Sequence, residues 1–361
     1  VAVDPAVKTT KRQETASTIA STFSDEPEAE DLDLSDEELL VEGERLCNDD
    51  RLLPGLRIFR KVKDSSLFTD AQTEWIRRAE LMETLREDLT APSSEGWTKQ
   101  GESHGNRDFV TYYKIEDGGK LKCRIESVIE ASLYVPFLAV MNETDLYETW
   151  FPKWRFPFKL GINRSNKLKQ RGRVEQVVQL MVDLPWPIHN REIVGWGFAE
   201  EDADMNRDVG AKLVTVDDDF DNGLVPPPEK GTVRMDFEMD FLFRPCPPDH
   251  AALSKSTAHY PEGENLILVT TVMYCDPKIA FVPHSFMNFC TRTAIGTVWR
   301  MILHLSEEVR EGKRPAHADL IASKREELYD WLEERAQLIT GMHPSQSSNE
   351  SEKRSLRSSS F

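Results

Sequence analysis

The run MVDLPWPIHNRE at 181–192 and the run YCDPKIAFVPHSFMNF at 274–289 decide how this chain folds. The first closes a half-buried strand, turns over Pro185 and Pro187, and re-enters a sheet through the charged pair Arg191–Glu192. Proline offers no N–H to a β-ladder, so this spacing marks a connection between strands. The second run leaves a strand at Asp276-Pro277, crosses a short loop to Pro283 and opens a long apolar helix. A proline is tolerated in a first helical turn, where its missing N–H has no partner to lose.

Outward from these runs the patterning is mostly of period two. Residues 174–182 alternate, and 193–199 continue beyond the proline turn. After a short strand at 213–216, the clearest alternation in the chain fills 233–243. There Val233, Met235, Phe237, Met239, Phe241 and Phe243 oppose Arg234, Asp236, Glu238 and Asp240. A strand at 266–274 closes the sheet. Upstream, 97–104 and 108–115 are short and aromatic-rich, and Asp117-Gly118-Gly119 turns tightly into 121–129. Leu121, Cys123, Ile125 and Ile129 share one face, so this part is a hairpin-linked meander.

Three helical segments frame the strands. Thr69-x-x-Gln72 is a capping box, followed at helical spacing by Trp75, Ile76, Ala79, Met82, Leu85 and Leu89. Residues 135–150 switch to helical character, with Pro136 near the start and Pro152 past the end. The helix from about 283 to 309 is apolar on most sides as far as Leu305, so it must be buried or line something apolar.

The ends read differently. Residues 1–34 are polar and acidic and are expected to be disordered. Ser35-x-x-Glu38 starts a helix, and with the apolar segment after Pro54 it makes a helical hairpin over 35–66. A main domain over 69–312 follows, then an amphipathic helix over 316–340 with Ile321, Leu328, Trp331, Leu332 and Leu338 on one stripe. A Ser-rich tail at 341–361 is expected to be disordered.

Composition limits the function. Of the net charge of −18, residues 1–44 carry −10, from three basic and thirteen acidic side chains. That argues against general nucleic-acid binding, which needs Lys and Arg to neutralise phosphates, and against permanent adhesion to anionic bilayers. A local basic patch could still dock transiently. The five cysteines, Cys47, Cys123, Cys246, Cys275 and Cys290, have no metal-like spacing, which favours free thiols and a cytoplasmic address. No apolar run approaches membrane-span length and no signal-peptide pattern opens the chain.

The two quoted runs, about 90 residues apart, resemble the signature points of the StAR-related lipid-transfer (START) domain family, over roughly 70–312. The order helix, three strands, helix, longer run of strands, long helix matches that family's topology. The resemblance implies an α+β helix-grip fold: a curved antiparallel sheet wrapped around a long C-terminal helix, here with helical extensions at both ends. It further implies an internal tunnel for one lipid. The lining expected is Tyr112, Gln176, Val178, Leu180, Gly197, Met235, Phe237, Met239 and Phe241 from the strands. Phe286, Phe289, Cys290, Thr293 and Thr297 would face it from the helix. That helix and an acidic loop at 200–208 would form the gate.

Head-group positions depart from two patterns in the family. Sterol-type members carry an acid and an arginine at positions that are Val178 and Gly197 here. Choline-phospholipid members resemble Arg-x-x-Trp-Asp where this chain has Tyr147-Glu148-Thr149-Trp150-Phe151. Neither the cholesterol nor the phosphatidylcholine reading gains support. Gln176, Tyr112, Thr293 and His284 remain as candidate polar contacts, each read more readily as a satisfied core or surface group than as a ligand contact. Arg191–Glu192 reads as a structural anchor.

No catalytic motif, phosphate loop or dinucleotide fingerprint occurs, and the eight histidines are scattered singly. Asp217-Asp218-Asp219 lacks the ligand spacing of an EF-hand and reads as a solvated loop. The expectation is a non-enzymatic carrier without cofactor or metal, whose partners are a lipid ligand, a transiently touched membrane and a protein docking on the helical extensions. The competing readings are a helix-grip enzyme of the polyketide cyclase or aromatase type, and a lipid-regulated interaction module.

Overall fold

A computed structural model describes residues 34–341, apart from 106, 117–119, 203–204, 255–259, 261–262 and 280–283. The segments expected to be disordered, 1–34 and 341–361, lie outside the described residues except for residues 34 and 341, as does the tight turn at 117–119.

Among the described residues ten strands form one sheet: β1 (Thr98–His104), β2 (Asp108–Glu116), β3 (Lys120–Glu130), β4 (Gly161–Gln170), β5 (Glu175–Asp183), β6 (Asn190–Asp202), β7 (Asp208–Thr215), β8 (Thr232–Arg234), β9 (Asp236–Pro245) and β10 (Leu266–Asp276). Their order is β1-β2-β3-β10-β9-β7-β6-β5-β4, with every neighbour antiparallel. Only β8 lies off this path, pairing parallel to β6. The run at 233–243 is thus two strands. Arg234 donates to Glu192 Oε2 at 2.9 Å and bonds the Pro226 carbonyl, which pulls β8 onto β6 before β9 begins. β4 was not foreseen: its sequence GINRSNKLKQ has no apolar face, as suits an edge strand with a single partner.

The helices are α1 (Asp36–Asn48), α2 (Leu52–Phe59), α3 (Asp70–Thr90), α4 (Tyr134–Asn142), α5 (Tyr147–Trp150), α6 (His284–Phe289), α7 (Ile295–Arg310), α8 (Pro315–Ser323) and α9 (Asp330–Thr340). Both capping boxes form, on Ser35 with Glu38 and on Thr69 with Gln72. One π turn, Cys290–Ala294, joins α6 to α7, and another, Arg325–Tyr329, precedes α9.

The sheet is covered on both faces. On the inner face, Trp299, Ile302 and Leu305 of α7 share a core with Phe137 of α4 and with Ile129, Val209, Phe243 and Val269 of the strands. On the outer face, Leu53 and Leu56 of α2 and Met82, Leu85 and Leu89 of α3 meet Val177, Val194, Trp196 and Leu242. Gly210 permits this approach, since a Cβ there would lie 2.5 Å from the Met82 methyl. An antiparallel sheet gripping a C-terminal helix is a helix-grip, START-like α+β fold, as the sequence predicts.

Residues 200–208 are not the open acidic loop expected from the sequence. Glu200, Glu201 and Asp202 belong to β6 and Asp208 to β7, all four buried. Arginines of the N-terminal helices meet them: Arg78 with Glu200 at 2.9 Å, Arg51 with Glu201 at 3.1 Å, Arg57 with Asp202 at 2.8 Å and Arg86 with Asp208 at 2.9 Å. Buried carboxylates need such partners, so these arginines tie the described part of the β6–β7 hairpin to the N-terminal segment.

Candidate functional site

A cavity of about 470 Å³ lies between the inner face of the sheet and α4, α6, α7 and α9. Its size falls within the roughly 300–1,000 Å³ usual for small-molecule sites. The floor is built by alternation: Val174, Gln176, Val178, Leu180 and Val182 run along its β5 side. Met235, Phe237, Met239, Phe241 and Phe243 line it from the start of β9 and the residue before it. Gly197, Leu213 and Ala211 of β6 and β7 lie between these rows, and Met273, Cys275, Cys123 and Ile125 extend the floor across β10 and β3. Met supplies flexible, polarisable surface that adapts to irregular apolar shapes.

Most expected residues come together here: Gln176, Val178, Leu180, Gly197, Met235, Phe237, Met239, Phe241, Phe286 and Cys290 all line the cavity. Tyr112 does not. It pairs with Arg124 on β3, one residue out of phase with the inward Thr111–Ile125 pair, and packs with Val110, Val128 and Tyr260 on the outer face. Phe289 is buried beside the cavity against Trp154 and Phe158, with ring centroids 5.8 and 5.7 Å away. Thr293 is exposed, and Thr297 lies off the lining. The π turn rotates the helix face, so Ala294, Ile295, Val298, Trp299 and Ile302 face the cavity in their stead. The His284 side chain lies outside the described residues.

One end of the cavity is closed by the C-terminal extension, whose Leu328, Trp331 and Leu332 line it. Buried Glu143 tethers this extension, receiving Lys324 Nζ at 2.5 Å and the Tyr329 hydroxyl at 2.7 Å. Burial pushes the Glu143 carboxyl up, but these two donors outweigh it and hold the group below the usual carboxylate range. Neither Glu143 nor the role of Trp331 was read from the sequence. The stripe carrying Leu328, Trp331 and Leu332 was legible, but not what it covers.

The other end is where the two decisive runs meet. The Arg191 guanidinium donates to the carbonyls of Pro277 and Lys278 and, at 2.6 Å, to that of His189. It thus joins the proline turn after β5 to the segment after β10. Glu192 accepts Gln179 Nε2 at 2.6 Å. Leu184, Pro277, Phe286 and Trp154 line the cavity at this end. Just outside stand Trp186, 92% exposed, and Phe156, 88% exposed, each preceding a cis proline.

Arg191 and Lys212 are the charged residues lining the cavity among the described residues. Lys212 is held by Asp240 at 2.9 Å and by Glu238. Burial alone would lower the Lys212 ammonium, yet these carboxylates raise it above its ordinary range. Burial pushes the thiols of Cys123, Cys275 and Cys290 up to about 12, so they stay protonated at neutral pH. No group of His, Cys, Asp or Glu that could hold a metal ion occurs among the described residues. Several polar atoms of lining residues are buried without a protein partner: Gln176 Oε1, Thr144 Oγ1, Thr271 Oγ1, and the indole nitrogens of Trp150, Trp299 and Trp331.

No protein-family model and no curated protein sequence matches this chain. Among solved structures it is similar to human STARD10, at 15% identity and a TM-score of 0.44 over 68% of this chain and 83% of that one. It is also similar to human StAR-related lipid transfer protein 5, at 12% identity and a TM-score of 0.43 over 64% and 97%. A fragment of a STAR-related lipid transfer protein from Xanthomonas axonopodis matches at 18% identity and a TM-score of 0.40 over 58% and 99%.

Proposed function

We propose that this protein is a START-type lipid carrier that encloses one lipid molecule in the cavity and exchanges it with membranes without chemically changing it. The observation that carries this reading is the apolar cavity itself, about 470 Å³, floored by Met and Phe side chains of β9 and closed by helices. Exposing alkyl surface to water costs about 25 cal/mol per Å², so a carrier must wrap its cargo almost completely. Binding is favoured over catalysis because neither carboxylate nor imidazole lines the cavity among the described residues, and its thiols are protonated. Acid–base chemistry needs a titrating group within reach of the reacting atom.

Loading takes place at the Arg191 end. No helix among the described residues is long and apolar enough to cross a membrane, so contact is made at the surface. Trp186 and Phe156 stand exposed beside the cavity there, and Phe156 lies among Lys153, Arg155 and Lys159 in a chain of net charge −18. An aromatic tip flanked by cations suits the headgroup layer of an anionic bilayer. Fully burying an aromatic side chain is worth about 1.5–3 kcal/mol, and each ~1.4 kcal/mol is tenfold in affinity. Replacing Trp186 and Phe156 together by Ser should therefore slow lipid transfer between anionic vesicles by at least about tenfold. Lipid already enclosed should be retained. Wild-type transfer rates in the double variant would refute this docking mode.

A further inference from the structure

We infer that the cavity selects a lipid with an uncharged hydroxyl- or amide-bearing head, and that this head lies at the α9 end, where the C-terminal extension supplies part of its site. This inference rests on the lipid-binding reading and narrows it to a ligand class.

Charge comes first. The guanidinium of Arg191 is committed to the carbonyls of Pro277, His189 and Lys278, and the ammonium of Lys212 to Asp240 and Glu238. A phosphate or carboxylate head drawn inside would meet no free counter-charge among the described residues, and burying an unpaired ion is strongly unfavourable. The cavity therefore discriminates against ionic heads by what it withholds.

Hydrogen bonding points to one end. Gln176 Nε2 donates to the Asn142 carbonyl at 3.3 Å and to Asn142 Oδ1 at 3.4 Å. That fixes the amide and leaves Oε1, buried and without a protein partner, as an acceptor. In the same half of the cavity, Thr144 Oγ1 and Thr271 Oγ1 and the indole N–H groups of Trp299 and Trp331 are also buried without one. Sheet register puts Gln176 and Thr271, on β5 and β10 at opposite sides of the floor, toward the end away from Arg191. Gln176 pairs with Gly197 and Thr271 with Phe241, which faces Ala211, while the Arg191 end begins at the Val182–Arg191 pair. Buried polar groups are normally satisfied, so these atoms are open to a ligand's hydrogen bonds.

This set offers an acceptor, indole donors and hydroxyls that do either. A hydroxyl or an amide, which both donates and accepts, complements it; an ester or hydrocarbon alone does not. The residues toward the Arg191 end, such as Leu184, Val182 and Phe286, are apolar and suit alkyl chains.

The test incubates the full chain with vesicles holding equal amounts of phosphatidylcholine, phosphatidylserine, diacylglycerol and ceramide, then quantifies the protein-bound lipid by mass spectrometry. Diacylglycerol or ceramide should exceed either phospholipid by at least about tenfold, the equivalent of a buried hydrogen-bonded group left unmet. Gln176→Leu and Thr144→Val should each lower retention of that lipid roughly tenfold, and lower it more than they lower uptake of a fluorescent alkane. Enrichment of a phospholipid, or unchanged retention in both variants, overturns the inference and leaves lipid binding standing. Failure of the wild-type chain to take up either lipid or alkane overturns both.

Discussion

Phe237 sits on the cavity floor, with Met235 and Met239 lining to either side along the chain. Phe237→Arg would place a charge there with no free acceptor, so lipid uptake should be lost while the far-ultraviolet circular dichroism stays native. A folded Phe237→Arg protein that loads lipid normally would remove β9 from the binding surface. Phe237 was legible in the sequence because one parity of 233–241 is apolar and the other is charged. Tyr112 was misplaced because β2, DFVTYYKIE, carries bulky side chains at both parities. Phe109 and Val110 are both buried, on opposite faces, and alternation then cannot say which face is inward. Thr144 and Asn142 escaped notice for another reason: Asn142 ends α4 and Thr144 opens the short turn after it, where no periodicity assigns direction.

At the scale of elements, the same limits recur. The long C-terminal helix was visible from its apolar composition, but the π turn at Cys290–Ala294 was not, and one extra residue per turn rotated the face predicted for Thr293 and Thr297. β4 carried no apolar signal because an edge strand needs none. The C-terminal extension makes its own prediction. Its tether, Glu143, has its carboxyl depressed in the folded protein, so the stabilisation is present above the ordinary Glu value of 4.5 and lost as pH falls through the depressed folded value. Hydrogen exchange across 325–340 should therefore quicken as pH is lowered beneath 4.5, after correction for the intrinsic rate. Glu143→Gln, which keeps the shape but not the charge, should show fast exchange at neutral pH and little further response to acid. Protection that is equal in both proteins across this range would mean that apolar packing of Trp331 and Leu332 alone holds α9.

Over the whole molecule, charge and packing divide the work. The N-terminal helices cover the outer face and pair with the acids of the β6–β7 hairpin through Arg51, Arg57, Arg78 and Arg86. The C-terminal helices cover the inner face and enclose the cavity. The exposed aromatics and the cations at 153–159 collect at the opposite end. The proposed carrier holds its cargo inside and meets the bilayer at that pole. The most direct measurement of this account is native mass spectrometry of the full chain after incubation with mixed-lipid vesicles. A single added mass equal to one lipid molecule per chain, absent from Phe237→Arg, is the predicted result. A spectrum showing only the bare protein mass at saturating lipid would contradict it.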